Sequence, residues 1–231
     1  MANPTYFRQI IGSLRYMCNT RQDLSFSVGY ISIFMKAPMR RHLLAAKRIM
    51  RYIKGTVDYG ILFPKGGGES EIELLGYSNS DWCGDKSNRK RTVVYVFLSG
   101  GAPVSWCSKK EVVVALSPCE VEYVAASMSA CQVVWLDTLM QELQLKQVGV
   151  VKLLVDNKFV IDLAKHPTAN GRSKHIKTRF HFLRDQVNND KLVLEYCKTE
   201  LQVADISTKA LKGERYRDLR EMLNLVNINV I

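Results

Sequence analysis

Apolar positions recur at helical spacing through the start of the chain, and they predict three helices. The first covers residues 5–18. The second begins near Asp23, which can cap it. The third begins at Pro38 and ends at Gly55. Each helix is defined by its apolar or aromatic positions: Phe7, Ile10, Ile11, Leu14 and Met17 in the first, and Phe26, Tyr30, Ile33 and Phe34 in the second.

The third helix is predicted to have an apolar face of Leu43, Ala46, Met50 and Ile53 and a basic face of Arg40, Lys47, Arg51 and Lys54. Seven basic residues and no acidic one lie between positions 36 and 54. A surface with charge of one sign is typical of contacts with nucleic-acid phosphates. A membrane-surface role is the weaker interpretation, because the apolar face has no Trp or Phe.

The pattern then changes to short apolar and β-branched runs, which predict strands. They cover residues 72–77, 92–98, 104–107 with 112–116, 150–155 and 192–196. Helices are predicted at 119–143, from Asp156 to 164, at 174–187 and near Val203. This order predicts an α/β fold, a mixed sheet flanked by helices.

The distribution of charge also changes near residue 68, close to where the pattern changes from helices to strands. The 231 residues carry 33 basic and 22 acidic side chains, a net charge of +11, and 47% of them are hydrophobic, which excludes a disordered chain. Residues 1–68 hold 11 of the basic and 2 of the acidic residues, so +9 of the excess lies there. We therefore predict a basic helical segment at 1–63, a Gly-rich linker at 64–70, an α/β domain at 71–212 and a helical tail at 213–231.

The compartment is predicted from what the sequence lacks. The six cysteines form no CxxC pair and no zinc-ligand spacing. The N-terminus has no signal-peptide pattern, and no run of about 18 apolar residues exists. We expect a cytoplasmic or nuclear protein that is not secreted and has no membrane partner.

Four acidic residues lie where a sheet could bring them together. Asp81 and Asp156 follow strands, Glu122 lies one turn into the long helix, and Asp205 lies in an apolar stretch. Ligands bind at the carboxyl ends of strands in α/β sheets. Converging carboxylates suit Mg²⁺, and two ions about 4 Å apart hydrolyse phosphodiesters. The alternative is that Asp81, Asp156 and Asp205 cap turns or helices.

Several short segments of the sequence resemble motifs of one known family. Residues 76–85 (GYSNSDWCGD) resemble GYSDADWAGD, and 115–123 (ALSPCEVEY) resemble ALSSCEAEY. Four further segments show the same resemblance: residues 155–158 to CDNKS, residues 172–176 to RSKHI, residues 179–182 to RYHF, and residues 202–211 to QVADIFTKAL. Residues 11–16 and 46–55 are similar to the segment that joins reverse transcriptase to ribonuclease H. The whole chain thus resembles the end of the Pol polyprotein of copia-type LTR retrotransposons.

The resemblance implies a ribonuclease H-like fold with a five-stranded mixed sheet. It implies cleavage of RNA in RNA–DNA hybrids with two Mg²⁺ ions, or Mn²⁺ in their place, and no small-molecule cofactor. The rest of Pol would be a partner, and the polymerase catalytic domain is expected to be absent. The family's acids come in the order Asp, Glu, Asp, Asp, and the last three match Glu122, Asp156 and Asp205. His175 and His181 are candidates for a proton-transfer histidine, or are helix-surface or packed residues.

The first acidic position of the family is occupied by Asn79. Asparagine keeps an oxygen ligand and loses the negative charge that would balance two divalent cations. Asp81 shares the face of Asn79 if the strand continues, but lies about 7 Å farther along. We therefore expect impaired ribonuclease activity. The alternative is a non-catalytic nucleic-acid-binding remnant, and a third, weaker option is a basic protein that binds duplex DNA.

Further nucleic-acid contacts are predicted between residues 172 and 184, where five basic residues and no acidic one occur. The candidates are Arg172, Lys174, Lys177 and Arg179, and the alternative is a solvated helix face. Among the tryptophans, Trp82 and Trp106 could stack on nucleotides, whereas Trp135 is expected to pack in the core.

Overall fold

The computed structural model describes residues 2–65, 71–81, 91–110, 117–166 and 174–230. Its helices are α1 Pro4–Met17, α2 Ser25–Ser32, α3 Arg40–Lys54, α4 Pro118–Glu142, α5 Lys158–Lys165, α6 Lys174–Asn188 and α7 Gly213–Met222. Its strands are β1 Tyr59–Ile61, β2 Glu71–Ile72, β3 Leu74–Asp81, β4 Thr92–Ser99, β5 Ala102–Lys110, β6 Lys146–Gln147, β7 Val151–Val155, β8 Leu192–Tyr196 and β9 Leu225–Asn227. A 3₁₀ turn at Val203–Ser207 precedes α7.

The central sheet has five strands in the order β5-β4-β3-β7-β8. Strands β3, β4 and β5 form an antiparallel meander, and β7 runs parallel to both β3 and β8. The predicted α/β fold with a five-stranded mixed sheet and flanking helices is confirmed. The strands that lead to Asp81 and Asp156 lie side by side, because Ser78 pairs with Val155.

Each face of the sheet is covered by a separate apolar layer. One layer joins the sheet to α4, α5 and α6 and includes Phe97, Leu153 and Leu183. The other joins it to the 3₁₀ turn and α7. Gly76 lies at the centre of β3, where an added Cβ would stand 2.6 Å from Phe97 and 2.9 Å from Leu153. Glycine there lets the strand that carries Asn79 pass between these two side chains.

Two sequence predictions about packing are wrong. Trp135 was expected in the core but is 55% exposed, because α4 buries the side of Val133, Leu136 and Met140. On α3, Met50 was placed on the buried face, whereas Ile49 lies there and Met50 is exposed. Of the linker at 64–70, residues 66–70 lie outside the described residues, as do Trp82 and the strand predicted at 112–116.

The helical segment is held to the α/β domain by a buried polar network. Arg21 and Asp23 are 5% and 2% exposed and form an ion pair through Nη2 and Oδ2 at 2.8 Å. Tyr52 donates its hydroxyl to the same carboxylate at 2.7 Å. From α7, Tyr216 donates to the backbone carbonyl oxygen of Asp23 at 2.8 Å. The strand β1, which follows α3, pairs antiparallel with β9, so the end of the helical segment also pairs with the strand that follows α7.

Among the described residues, no helix combines the length and the hydrophobicity that a membrane-spanning segment requires.

Replacing Asp23 with alanine is expected to destabilise the fold by about 3–5 kcal/mol, because it leaves the Arg21 cation buried without its partner. Urea denaturation would measure the change in the free energy of unfolding. Asp137→Ala is the matched control, since it removes an exposed ion pair with Lys191 and should cost about 0–1 kcal/mol. Equal losses in the two variants would contradict a structural role for the network.

Candidate active site

Asn79 lies near the end of β3 with its side chain buried, 5% exposed. Its Oδ1 accepts the backbone N–H of Ser80 at 2.6 Å, and its Nδ2 donates to Oδ1 of Asp205 at 2.8 Å. A backbone N–H can only donate, so the Ser80 contact fixes which end of the amide faces Asp205. The side-chain amide of Asn79 thus supplies a hydrogen bond to the Asp205 carboxylate that lies opposite it.

Asp205 is 3% exposed and is placed by the 3₁₀ turn. The turn is fixed to the sheet by Gln202, which is fully buried and donates through Nε2 to the carbonyl of Ser78 at 3.1 Å. Ser108 on β5 donates to the carbonyl of Ser207 at 2.7 Å. Gln202 and Ser108 are positioning residues that the sequence reasoning missed. For Gln202 a signal existed, since it opens the QVADI word.

Two cations also face the Asp205 carboxylate. Lys209 Nζ lies 2.8 Å from Oδ1, and a guanidinium nitrogen of Arg215 lies 4.0 Å from Oδ2. Lys209 is four residues after Asp205, just past the end of the 3₁₀ turn, and the chain there brings the two side chains together. One carboxylate oxygen therefore accepts from both Asn79 and a lysine ammonium.

Glu122 and Asp156 lie beside this pair and are both half-buried. Burial raises the pKa of Asp156, and the negative charge of Asp205 raises it further, against a backbone hydrogen bond and Lys209, which lower it. Burial also raises the pKa of Glu122, and Asp156 adds to the rise while a hydrogen bond from Asn157 lowers it. Among the described atoms, Oε2 of Glu122 is buried without a hydrogen-bond partner. The predicted acids thus influence one another electrostatically.

The arrangement does not fit a pair of divalent ions. The donors have suitable chemistry, since Mg²⁺ prefers carboxylate oxygens. However, the part of the chain that the structure describes contains no group of three acidic, histidine or cysteine side chains placed to hold a metal. Oδ1 of Asp205 is engaged by Lys209, and Oδ1 of Asn79 is engaged by Ser80. A hydrogen bond and an ion pair stand where the family resemblance implies metal ligands.

The other predicted site residues lie away from the Asn79–Asp205 pair, or their side chains lie outside the described residues. Asp81 ends β3, so it shares the sheet face of Asn79. His181 is exposed on α6, in the layer on the opposite face from the Asp205 turn. His175 belongs to α6, but its side chain lies outside the described residues.

Some of the predicted phosphate-binding residues are exposed on helices, and the side chains of the others lie outside the described residues. Arg40, Lys47, Arg51 and Lys54 are exposed together on α3. Arg179 is partly exposed on α6. Arg172 and the side chains of Lys174 and Lys177 lie outside the described residues.

The raised pKa values of Glu122 and Asp156 predict a pH dependence of stability. Both carboxyls bind protons more tightly when folded than at their ordinary values of 4.5 and 3.8. The folded state therefore holds more protons, and stability should fall as pH rises from these values through the folded-state pKa. Glu122→Gln and Asp156→Asn should weaken this fall and raise the melting temperature at neutral pH.

Thermal unfolding across pH 4–8 would measure the effect, with Asp162→Asn on the exposed side of α5 as control. Variants that melt below the wild type at neutral pH with an unchanged pH profile would contradict the assignment.

Comparison with known proteins supports the resemblance found in the sequence. The Pol polyprotein of transposon RE1 from Arabidopsis thaliana is 34% identical over 228 residues, which is 99% of this chain and 15% of that protein. The Pol polyprotein of transposon TNT 1-94 from Nicotiana tabacum is 36% identical over 220 residues, 95% of this chain and 16% of that protein. The chain thus spans about one sixth of these relatives. Secreted RxLR effector protein 161 from Plasmopara viticola is 40% identical over 136 residues, 59% of this chain and 94% of that protein.

The fold has a counterpart among solved structures. A foamy viral protease–reverse transcriptase in complex with RNA/DNA hybrid matches 92% of this chain and 27% of its own, with a TM-score of 0.52 and 12% identity. No protein-family model matches the chain. Over nearly its whole length the chain is thus similar to one segment of copia-type Pol polyproteins of transposons, and its five-stranded α/β sheet has a counterpart in the foamy viral reverse transcriptase structure.

Proposed function

We propose that this chain is a ribonuclease H domain that binds RNA–DNA hybrid and that Asn79 impairs its Mg²⁺-dependent cleavage of the RNA strand. The observation that carries the proposal is the 2.8 Å hydrogen bond from Asn79 Nδ2 to Asp205. An aspartate at position 79 could not donate this bond. It would instead place a second carboxylate against Asp205, and two facing carboxylates need a cation or a shared proton. Asparagine removes that need and supplies the missing donor.

Lys209 supports the same conclusion. Its ammonium contributes a positive charge 2.8 Å from Asp205 Oδ1. With the Asn79 amide beside it, the buried carboxylate has its charge and hydrogen bonds satisfied by the chain itself. A divalent ion would have to displace these contacts and would gain one fewer negative ligand.

Hybrid binding is proposed from the exposed basic face of α3 and from the fold. Contacts of this kind are made to phosphates and do not depend on sequence. The foamy viral relative in fold was solved with RNA/DNA hybrid, which makes this ligand the one to test first.

Replacing Asn79 with aspartate is expected to restore cleavage of a labelled RNA–DNA hybrid in millimolar MgCl₂, by roughly 100-fold or more. Even outer ligands of metal sites change affinity or activity by roughly 10–100-fold. The same substitution should make the melting temperature rise on addition of MgCl₂, because the new carboxylate pair binds the ion. Neither response is expected in the wild type.

Two controls make this experiment specific. Asn79→Ala removes the amide without adding charge, so it should show neither cleavage nor MgCl₂ stabilisation. Asp156→Asn in the Asn79→Asp background should abolish the restored cleavage. Robust, equal cleavage by the wild type and Asn79→Asp would contradict the proposal.

Neutralising Lys47, Arg51 and Lys54 together as glutamines is expected to weaken hybrid binding and reduce its salt dependence. Each lost phosphate contact should lower the slope of log K against log salt by about 0.9 for a duplex. Fluorescence anisotropy at several salt concentrations would measure the slope. A triple variant at Lys165, Lys191 and Lys212 removes the same charge from other exposed positions and should leave the slope nearly unchanged. Equal slopes for the two triple variants would exclude α3 as the contact.

A further inference from the structure

A cavity of about 310 Å³ lies where the helical segment meets the edge of the sheet. Phe26, Tyr30 and Ile33 line it from the helical side, and Thr92 and Ser108 line it from β4 and β5. Its volume is at the lower end of the range for small-ligand pockets, so it can admit one base but not a stacked base-paired step.

The cavity has an aromatic wall. The rings of Phe26 and Tyr30 stack with centroids 6.1 Å apart and planes at 27°, and Phe34 meets Tyr30 edge-on at 5.9 Å. The apolar core of the helical segment is built from other side chains, such as Phe7, Ile11 and Leu24. Tyr30 is 42% exposed. The row of rings is thus not required to fill the core, and it leaves the Tyr30 ring available for stacking.

The cavity is also positively charged. Its described lining carries the cationic side chains of Arg15, Lys109 and Lys110 and no acidic side chain. Aromatic rings beside cations are the combination that holds unpaired nucleotides, whose bases stack while their phosphates pair with the cations. An acidic peptide would use the cations but would leave the rings unused.

The cavity shares a wall with the candidate active site. Val94 on β4 pairs with Asn79 on β3 and with Ser108 on β5, so one row of residues crosses from the site to the cavity. Two strand spacings make this about 10 Å. Ser108 lines the cavity and donates to the carbonyl of Ser207, two residues after Asp205. A nucleic-acid strand that leaves the site along this row reaches the cavity directly.

We propose that this cavity binds one unpaired nucleotide of a strand that passes the candidate active site. The base stacks on Tyr30, and its phosphate is held by Arg15 and Lys109. The inference rests on the proposed binding of nucleic acid by this domain and adds that the domain also holds a single-stranded segment next to the duplex.

The test uses the whole chain and short fluorescent oligouridine and oligodeoxyuridine, with binding measured by anisotropy. Tyr30→Ala should weaken binding roughly tenfold, the loss expected for one stacked base. Tyr30→Phe keeps the ring and should bind as the wild type does. The matched control is Tyr16→Ala, which removes an exposed tyrosine from α1 and should change nothing.

Charge is tested separately. Arg15→Gln and Lys109→Gln should each lower the salt slope for a single strand by about 0.7. Lys191→Gln, beside the opposite edge strand β8, should leave it unchanged. Equal affinities for the RNA and DNA oligonucleotides show that the shared base and phosphate are recognised, and a preference for either adds a sugar contact at the same site.

The outcomes separate this inference from the proposed function. If hybrid binds but Tyr30→Ala and Tyr16→Ala hold oligouridine equally well, the cavity is excluded while hybrid binding stands. If an acidic peptide displaces the oligonucleotide and binds Tyr30→Ala as tightly as the wild type, the ligand is a peptide and the inference is wrong. If the wild type binds neither hybrid nor single strand, both proposals are overturned.

Discussion

The site is organised around a single buried negative charge, the carboxylate of Asp205. A carboxylate that is 3% exposed must be compensated within the protein, and here the compensation comes from the Asn79 amide and the Lys209 ammonium. The neighbouring residues of the site either hold Asp205 in place or are affected by its charge. Gln202 and Ser108 fix the turn that carries Asp205, while burial raises the pKa values of Asp156 and Glu122 beside it. The chain itself thus supplies the hydrogen bond and the cation that compensate the Asp205 carboxylate.

The helical segment and the α/β domain form a continuous surface rather than two independent bodies. The Arg21–Asp23 pair, Tyr52 and Tyr216 join them through buried hydrogen bonds, and Trp106 on β5 donates to the carbonyl of Cys18 at 2.9 Å. These contacts set the position of the basic face of α3 and of the aromatic row of α2 relative to the active site. A nucleic acid that meets the acidic residues thus meets fixed, rather than tethered, cationic and aromatic groups.

The sequence predicted the elements that periodicity controls. The strand at 192–196 and the helices α4 and α6 were placed within one or two residues, because their apolar spacing and the turns around them are strong local signals. Long-range contacts left no such signal. The hydrogen bonds of Tyr52 with Asp23 and of Trp106 with Cys18 depend on which faces meet, and the exposure of Trp135 depends on which side of α4 the sheet covers. At the site, the family pattern located Asn79 and Asp205, but it could not show that they would bond to each other.

The pairing of β1 with β9 has a consequence for how the chain folds. Tyr216 and Asp23, joined by a hydrogen bond at the same seam, are 193 residues apart in sequence. Such distant contacts form slowly, because a long loop must close before any contact compensates for the lost chain entropy. During synthesis, α1, α2 and α3 leave the ribosome long before β9 exists. The docking of the helical segment against α7 and β9 therefore has to wait until both of these elements have been made.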